Sequence, residues 1–373
     1  MRKNPVDQSR LAAQVILNVR SGRATSRRGL AEALSVSPST TGLYVDELVK
    51  AGLLRETGLE QGKMGRPKRR LSTVPGAGWF AGLEFHAGRV QAARVDFSGR
   101  LIHSQSFALP ANPTTRTVME QLREAVAWLA GRSPGRMLAI GVGAPGVVDP
   151  KNGTGLHYSF IEDWRDVPVA EELGFEFGVR VTLENNLRVI ALAERWFGDG
   201  GGLANYIVLG PRRGFGVAIV NEGQLLGGAH QAAGEVGNWW WPAGGAMREM
   251  HDELSAPAVW RRLAGAAETE KLPADLHQAL ALVARNSARE EVVRDFAKVT
   301  GWLQLLLDTE AFILHGPLTA LGDSFWNEVS EETARLMPRL AARQPRITCS
   351  SLTDNAGALG AASLAMEAWQ PSS

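Results

Sequence analysis

At 373 residues the chain exceeds one typical small domain and is long enough for two or three buried cores. With 45% apolar and 21% charged residues and a formal net charge of +1, its composition is that of an ordinary globular protein and not of a disordered or membrane one. The single Cys349 excludes an internal disulfide framework and a thiolate zinc cluster. No apolar run reaches the roughly 18 residues a spanning helix needs, and the N-terminus MRKNPVDQSR lacks a signal peptide's apolar core, so the expectation is a cytoplasmic protein with no membrane partner.

Charge is unevenly distributed. Residues 1–75 carry 14 Lys/Arg against 6 Asp/Glu, a balance of +8 that leaves −7 for the rest of the chain. A basic head on an acidic body suits a head that meets a polyanion, although a solvated basic surface gives the same count.

In chain order, Leu11, Val15 and Val19 recur every four residues and mark a first helix; Leu30 and Leu34 mark a short second one. Ser37-Pro38 then restarts a helix, with Ser37 as N-cap and Pro38 at the first position, where no amide donor is needed. This third helix is expected to run to about Lys50, with Thr41, Tyr44 or Val45, and Leu48 inward and Ser39, Thr40, Gly42 and Leu43 exposed. A short helix, a tight turn and a second helix form the helix-turn-helix signature. After Gly52 the pattern turns strand-like: LLRET, a polar turn GLEQGKMGRPK, then RRLSTV. This reads as a two-stranded wing, in which Arg66 within Gly65-Arg66-Pro67 suits a narrow minor groove; a solvated hairpin tip or linker is the alternative. The candidate DNA-contacting residues are Ser37, Ser39, Thr40, Leu43, Lys63, Arg66, Lys68 and Arg69.

From Gly78 the chain is strand-rich and punctuated by glycine. WFAGLEF and RVQAARVDFSGRLI read as strands, TVMEQLREAVAWLAG as an amphipathic helix, and MLAIGVGAPGVVD as a strand ending in a Gly/Pro loop. A second set follows Gly198: ANYIVLG, RGFGVAIVNEGQLLGG and a helical tract from about Ser255 to Asp308. The expected fold is α/β, with two lobes behind the N-terminal winged helix-turn-helix.

Seven stretches, in order, resemble the ROK family (repressors, open reading frames and kinases): SRRGLAEALSVSPSTTGLYVDELVKAGLL with GRP, GAPGVVDP, LENNLRVIALAERWFG, GVAIVNEGQLLGG, AAGEVGN and GALGAASLAMEAW. The resemblance implies an actin- and hexokinase-like ATPase fold for residues 76–373. Its lobes would be about 76–196 with 350–373, and 197–349, behind a DNA-binding domain at 1–75.

The departures from the family are informative. Where ROK kinases have Gly-x-Asp-x-Gly-Gly-Thr, this chain reads Gly82-Leu83-Glu84-Phe85-His86-Ala87-Gly88, whose side chains at His86 and Ala87 obstruct a phosphate. Arg212-Arg213-Gly214-Phe215-Gly216 replaces the second phosphate loop, Gly-Thr-Gly-Ile-Gly, and His315-Gly316-Pro317 the glycine triplet near adenosine. Arginine there still suits an anion. In Glu184-Asn185-Asn186-Leu187-Arg188 an amide, Asn186, stands where the kinase Asp accepts the sugar hydroxyl's proton; it binds a hydroxyl but is no base. Without the family, Asn185 and Asn186 also read as a helix cap at a strand end.

The sugar-binding Glu of the family corresponds to Glu235, but the histidine that follows it is Asn238, and Trp239-Trp240-Trp241 with PAGGAMREM stands where the zinc cysteines should be. That run either stacks on a sugar, fills core, or lines a subunit interface. His230, His251 and His315 show no metal-ligand spacing, so neither metal nor cofactor is expected. The candidate effector-binding residues are Gly143, Gly146, Asn185, Asn186, Glu235 and Asn238.

The expectation is therefore a DNA-binding transcriptional regulator, a repressor by preference, that binds duplex operator DNA as a homodimer or higher homo-oligomer. It would answer a sugar or sugar derivative and carry no catalytic residues. The alternatives are a regulator blind to sugars, its pocket filled by Phe160 or a Trp, and an active ATP-dependent sugar kinase.

Overall fold

The computed structural model describes residues 5–60, 68–86, 88–132, 134–243, 245–283, 288–337 and 344–371. It divides into two compact units, Met1–Val189 with Gly357–Ser373, and Ile190–Ala356.

The first unit opens with α1 (Pro5–Arg20), α2 (Arg27–Leu34) and α3 (Pro38–Lys50), followed by the antiparallel strands β1 (Leu54–Glu60) and β2 (Lys68–Thr73). The caps act as the sequence demands: Ser26 accepts from the Gly29 amide and Ser37 from the Thr40 amide. The apolar spacing becomes a small core of Val15, Ile16, Val19, Leu30, Tyr44, Val45, Leu48, Leu54 and Leu71. Arg27 binds it together from outside. Its guanidinium donates to the Gly42 carbonyl and to the carboxylates of Asp46 (2.6 Å) and Glu56 (3.1 Å), joining α2, α3 and β1.

Behind this head lies a five-stranded mixed sheet of β3 (Trp79–His86), β4 (Arg89–Asp96), β5 (Leu101–Ala108), β6 (Met137–Ala144) and a later strand, β10 (Arg180–Asn185), in the order β10-β6-β3-β4-β5. Its helices are α4 (Thr115–Gly131), α5 (Val169–Phe177) and α12 (Ala356–Ala368). Between β6 and α5 runs a small antiparallel sheet of β7 (Val147–Asp149), β8 (Thr154–His157) and β9 (Arg165–Val167). The apolar stripe of α4, with Val118, Leu122, Val126 and Leu129, packs with Leu83, Phe85 and Val142 of the sheet. The alanine-rich α12 lies closer still. A Cβ at Gly82 would strike the Ala358 carbonyl and one at Gly141 the Ala361 carbonyl, so the helix backbone rests directly on the strands.

In the second unit the sheet order is β13-β12-β11-β16-β17, from β11 (Tyr206–Leu209), β12 (Val217–Asn221), β13 (Gln224–Leu225), β16 (Ala311–Leu314) and β17 (Ile347–Cys349). A hairpin of β14 (Trp240–Ala243) and β15 (Ala246–Glu249) stands apart from that sheet. The expected long helical tract is divided into α7 (His251–Leu254), α8 (Ala256–Ala264), α9 (Leu276–Val283) and α10 (Arg289–Leu307), followed by α11 (Gly322–Leu336). Phe296 is the hub of their packing, edge-on to Phe215, Phe325 and Trp326. The chain passes between the units within α6 (Asn186–Phe197) and at the start of α12.

Candidate functional site

The head presents the N-terminal half of α3 to solvent. Thr41, Tyr44, Val45 and Leu48 are buried, whereas Ser37, Ser39 and Leu43 are exposed, Leu43 by 59%, and Thr40 is half-buried. Ser37 is committed in part to folding: its Oγ accepts from the Thr40 amide at 3.1 Å and lies 2.9 Å from the Ser39 hydroxyl. An exposed apolar side chain amid hydroxyls suits base edges and a thymine methyl.

Of the wing candidates, Lys63 and Arg66 lie outside the described residues. Lys68 pairs with Glu60 in the β-ladder, and exposed Arg69 donates to Glu56 at 2.5 Å. Such a surface pair contributes little to stability and opens readily for a phosphate. Two arginines escaped the sequence reading. Arg55 and Arg70 are exposed on the strands and, with Arg20, Thr25, Thr57 and Ser72, line a groove of about 420 Å³. The register Arg55↔Ser72 and Thr57↔Arg70 puts these polar residues on one face of the hairpin, a period-2 signal available in RETGLE and KRRLST.

In the first unit, β3, β6 and β10 bring together Glu84, Gly143 and Glu184 as register partners. Asn185 closes β10 and caps α6: its Oδ1 accepts from the amides of Leu187 and Arg188 while its Nδ2 donates to the Gly146 carbonyl at 2.9 Å. Gly146 has φ +72°, and a Cβ there would strike the His157 carbonyl. Asn186, one residue later, is only partly buried, and its Nδ2 donates to Oε1 of buried Glu84 at 3.3 Å. Glu184 is held by Arg188 at 3.1 Å. The turn after Glu84 is closed by its own side chain, since Nδ1 of His86 accepts the Gly88 amide at 3.0 Å; Ala87 lies outside the described residues. Phe160 is half exposed and tilts against Tyr158.

In the second unit the loop 210–216 is tied to itself. The Arg212 amide donates to the carbonyls of Gly210 and Gly214, and the Phe215 amide to Nδ1 of His251 at 2.8 Å. The Arg212 and Phe215 amides are thus already bonded, and the Phe215 ring is buried in the helical core. His315 lies beyond this loop's strand, its backbone amide bonded to the Leu209 carbonyl. Burial, aided by the nearby Arg212 charge, lowers its pKa to about 3, so it is neutral at physiological pH.

Glu235 and Asn238 come together on one turn, with Asn238 Nδ2 3.5 Å from Glu235 Oε2 and 3.4 Å from the Glu235 carbonyl. The tryptophan run divides: Trp241 is buried edge-on against Trp302, whereas Trp239 and Trp240 are 63% and 57% exposed. Core filling therefore accounts for one of the three: successive residues of a strand face opposite ways, which separates Trp240 from Trp241, while Trp239 precedes the strand.

Among the described residues no helix is long and apolar enough to cross a membrane. The sequence pattern of the ROK family matches residues 80–368. A xylose repressor of Caldicellulosiruptor bescii is 26% identical over 227 residues, covering 60% of this chain and 57% of the relative. A glucokinase of Thermotoga maritima is 27% identical over 256 residues, covering 61% and 79%. The chain spans little more than half the length of the repressors it matches. Among solved structures, a ROK family transcriptional regulator, homologous to the Escherichia coli Mlc protein, superposes with a TM-score of 0.81 over 97% of this chain and 96% of that one. At 18% identity this likeness concerns the fold, and its coverage takes in the head as well as the body. By the pattern that spans nearly all of its body, and by the architecture just described, this chain belongs to the ROK family.

Proposed function

We propose that the chain is a DNA-binding transcriptional regulator, a repressor by preference, whose body binds a sugar or sugar derivative and transfers no phosphoryl group. The observation that carries the reading is the position of Asn186. An amide that cannot act as a base donates to Glu84, beside a turn closed by His86. In the second unit the loop 210–216 supports the same reading, with its Arg212 and Phe215 amides already bonded. The capped α3 with exposed Ser39 and Leu43 and half-buried Thr40, next to a wing bearing Arg55, Arg69 and Arg70, supports duplex DNA as partner. One such head reads few bases, so a homodimer on a two-fold operator is part of the proposal. Lobes of about 76–196 with 350–373, and 197–349, are proposed as the effector-binding body.

The name of the xylose repressor supports a sugar effector; the proposed contacts are Asn186 and the Gly143–Gly146 turn, which allows close backbone approach, in the first unit, and Glu235 in the second. A second reading, a regulator answering a non-sugar ligand, is favoured by Asn185, whose amide oxygen and nitrogen are both already engaged. The test is fluorescence anisotropy of the full chain on duplexes from upstream of its own gene, at several salt concentrations and with pentoses, hexoses and aminosugars. The proposal expects a steep negative salt dependence and one sugar that shifts DNA affinity and loses its effect in Glu235→Ala. A flat salt dependence refutes the DNA reading; equal sugar binding by parent and Glu235→Ala refutes the pocket.

A further inference from the structure

The head does not hang on a free linker. Arg20, the last residue of α1, reaches out of the head. Its Nε donates to the Phe97 carbonyl at 2.8 Å and its Nη1 to the Met366 carbonyl at 3.3 Å. The guanidinium lies 4.6 Å from the centre of the Phe97 ring and 5.4 Å from that of Phe80, and Trp369 closes edge-on upon both rings. Phe97 follows β4, and Met366 is in the last turn of α12, where helix carbonyls lack intrahelical donors and attract a cation. Desolvation is the cost of this seat. It pulls the Arg20 pKa well below the usual guanidinium range, to about 9, against the attraction of Asp96 and Glu367, and leaves Nη2 buried without a hydrogen-bond partner. A residue serving only solubility or DNA attraction would keep its guanidinium in water.

The other end of α12 touches the candidate effector site. A Cβ on Gly357 would stand 2.5 Å from Cγ of Glu84, so that side chain lies on the helix backbone; Glu84 in turn accepts from Asn186. Between these ends the helix is 13 residues long, about 20 Å at 1.5 Å per residue. It is seated on Gly82 and Gly141 with no intervening side chain to absorb a displacement. Closely packed elements shift as units and deform little internally.

We propose that α12 is the rod, and Arg20 the joint, by which the state of the Asn186–Glu84 site reaches the DNA-reading head. The regulatory meaning rests on the proposed function, but the mechanical link does not. Arg20 acts through the Phe97 and Met366 carbonyls; it is a positioning residue and needs no contact with DNA or effector.

Amide hydrogen exchange of the full chain tests the link without any ligand. Arg20→Ala should accelerate exchange in the last turn of α1 at least tenfold while leaving α10 and α11 unchanged, and Arg20→Lys, which keeps the charge but loses the planar fork, should fall between. Gly357→Ala, which pushes Glu84 and the start of α12 apart, should accelerate the same α1 peptides, and the double variant should exceed neither single one. If Gly357→Ala does not fold, Asn186→Ser, which shortens the donor to Glu84, replaces it with the same expectation. Unchanged α1 exchange in the folded site variant, or additive effects in the double variant, overturns the proposal. DNA affinity of the same proteins is read separately. A chain that binds no DNA refutes the regulator reading yet leaves the exchange result to decide the link.

Discussion

Asn186→Asp introduces the residue type that the family resemblance implies for a kinase base at this position, and the structure predicts that it costs stability and returns no activity. The amide now donates to Glu84 Oε1 at 3.3 Å; a carboxylate there would present oxygen to oxygen. Two unit charges at that separation repel by about 5 kcal/mol at an effective dielectric of about 20. The lost hydrogen bond to a charged acceptor adds about 1.5–3 kcal/mol. Asn186 is partly exposed, so hydration and a small side-chain rotation relieve much of this, leaving an expected loss of about 2–4 kcal/mol at pH 8. The introduced carboxyl should have a folded pKa raised above its unfolded value of about 3.9. Its charged form is then penalised only in the folded state, so the penalty grows as pH rises above that value and is relieved as pH falls. Once protonated, the new side chain donates to Glu84 and restores the hydrogen bond. Urea unfolding at pH 8, 6.5 and 5 should therefore show the gap between variant and parent shrinking steadily. A coupled assay with ATP and a panel of sugars should stay at background, because the His86 turn and the Phe215 loop remain closed. Equal stability at pH 8 would refute the Asn186–Glu84 geometry, and sugar-dependent ATP turnover would refute the argument from closed loops.

Three further outcomes are expected. Ser37→Ala removes the side-chain acceptor of the Thr40 amide at an exposed N-cap, so it should lower the head's stability by about 1 kcal/mol, read as faster amide exchange at the start of α3. His315 has a folded pKa of about 3 against an ordinary 6.5; the unfolded chain takes up its proton first, so this contribution is complete above about pH 6.5 and is lost as pH falls toward 3. His315→Asn should flatten that part of the stability profile, and an unchanged slope would contradict the buried neutral ring. Burial and the nearby Asp323 raise the Cys349 thiol to about 11, so a disulfide reagent at pH 8 should label it slowly in the native protein and rapidly in urea; fast native labelling would contradict its half-buried setting.

Much of the head and the body's element types followed from the sequence alone, because their signals are local. The four-residue spacing of Leu11, Val15 and Val19, the Ser37-Pro38 cap and the Thr41–Leu48 stripe each act within a few turns of one helix, and α1, α2 and α3 stand where they predict. Asn186, His86 and Arg212 are likewise read directly from the sequence, and it is the family resemblance that implies an Asp and two glycines in their places. What the sequence left open depends on which residues, distant along the chain, come to share one small volume. Asn185 and Asn186 are adjacent and identical, yet one spends its amide on a cap and on Gly146 while the other faces Glu84, 102 residues away. Of three consecutive tryptophans only Trp241 found a core, because Trp302 arrives from α10 to cover it. Arg20 looked like one more basic residue of a basic head; its partners lie 77 and 346 residues away, and only the packing of α12 on Gly82 and Gly141 puts them within its reach. Propensity and periodicity report on a residue's immediate neighbours in the chain, whereas desolvation and hydrogen-bond pairing are set by neighbours in space, and those exist only once the sheet and its helices have assembled.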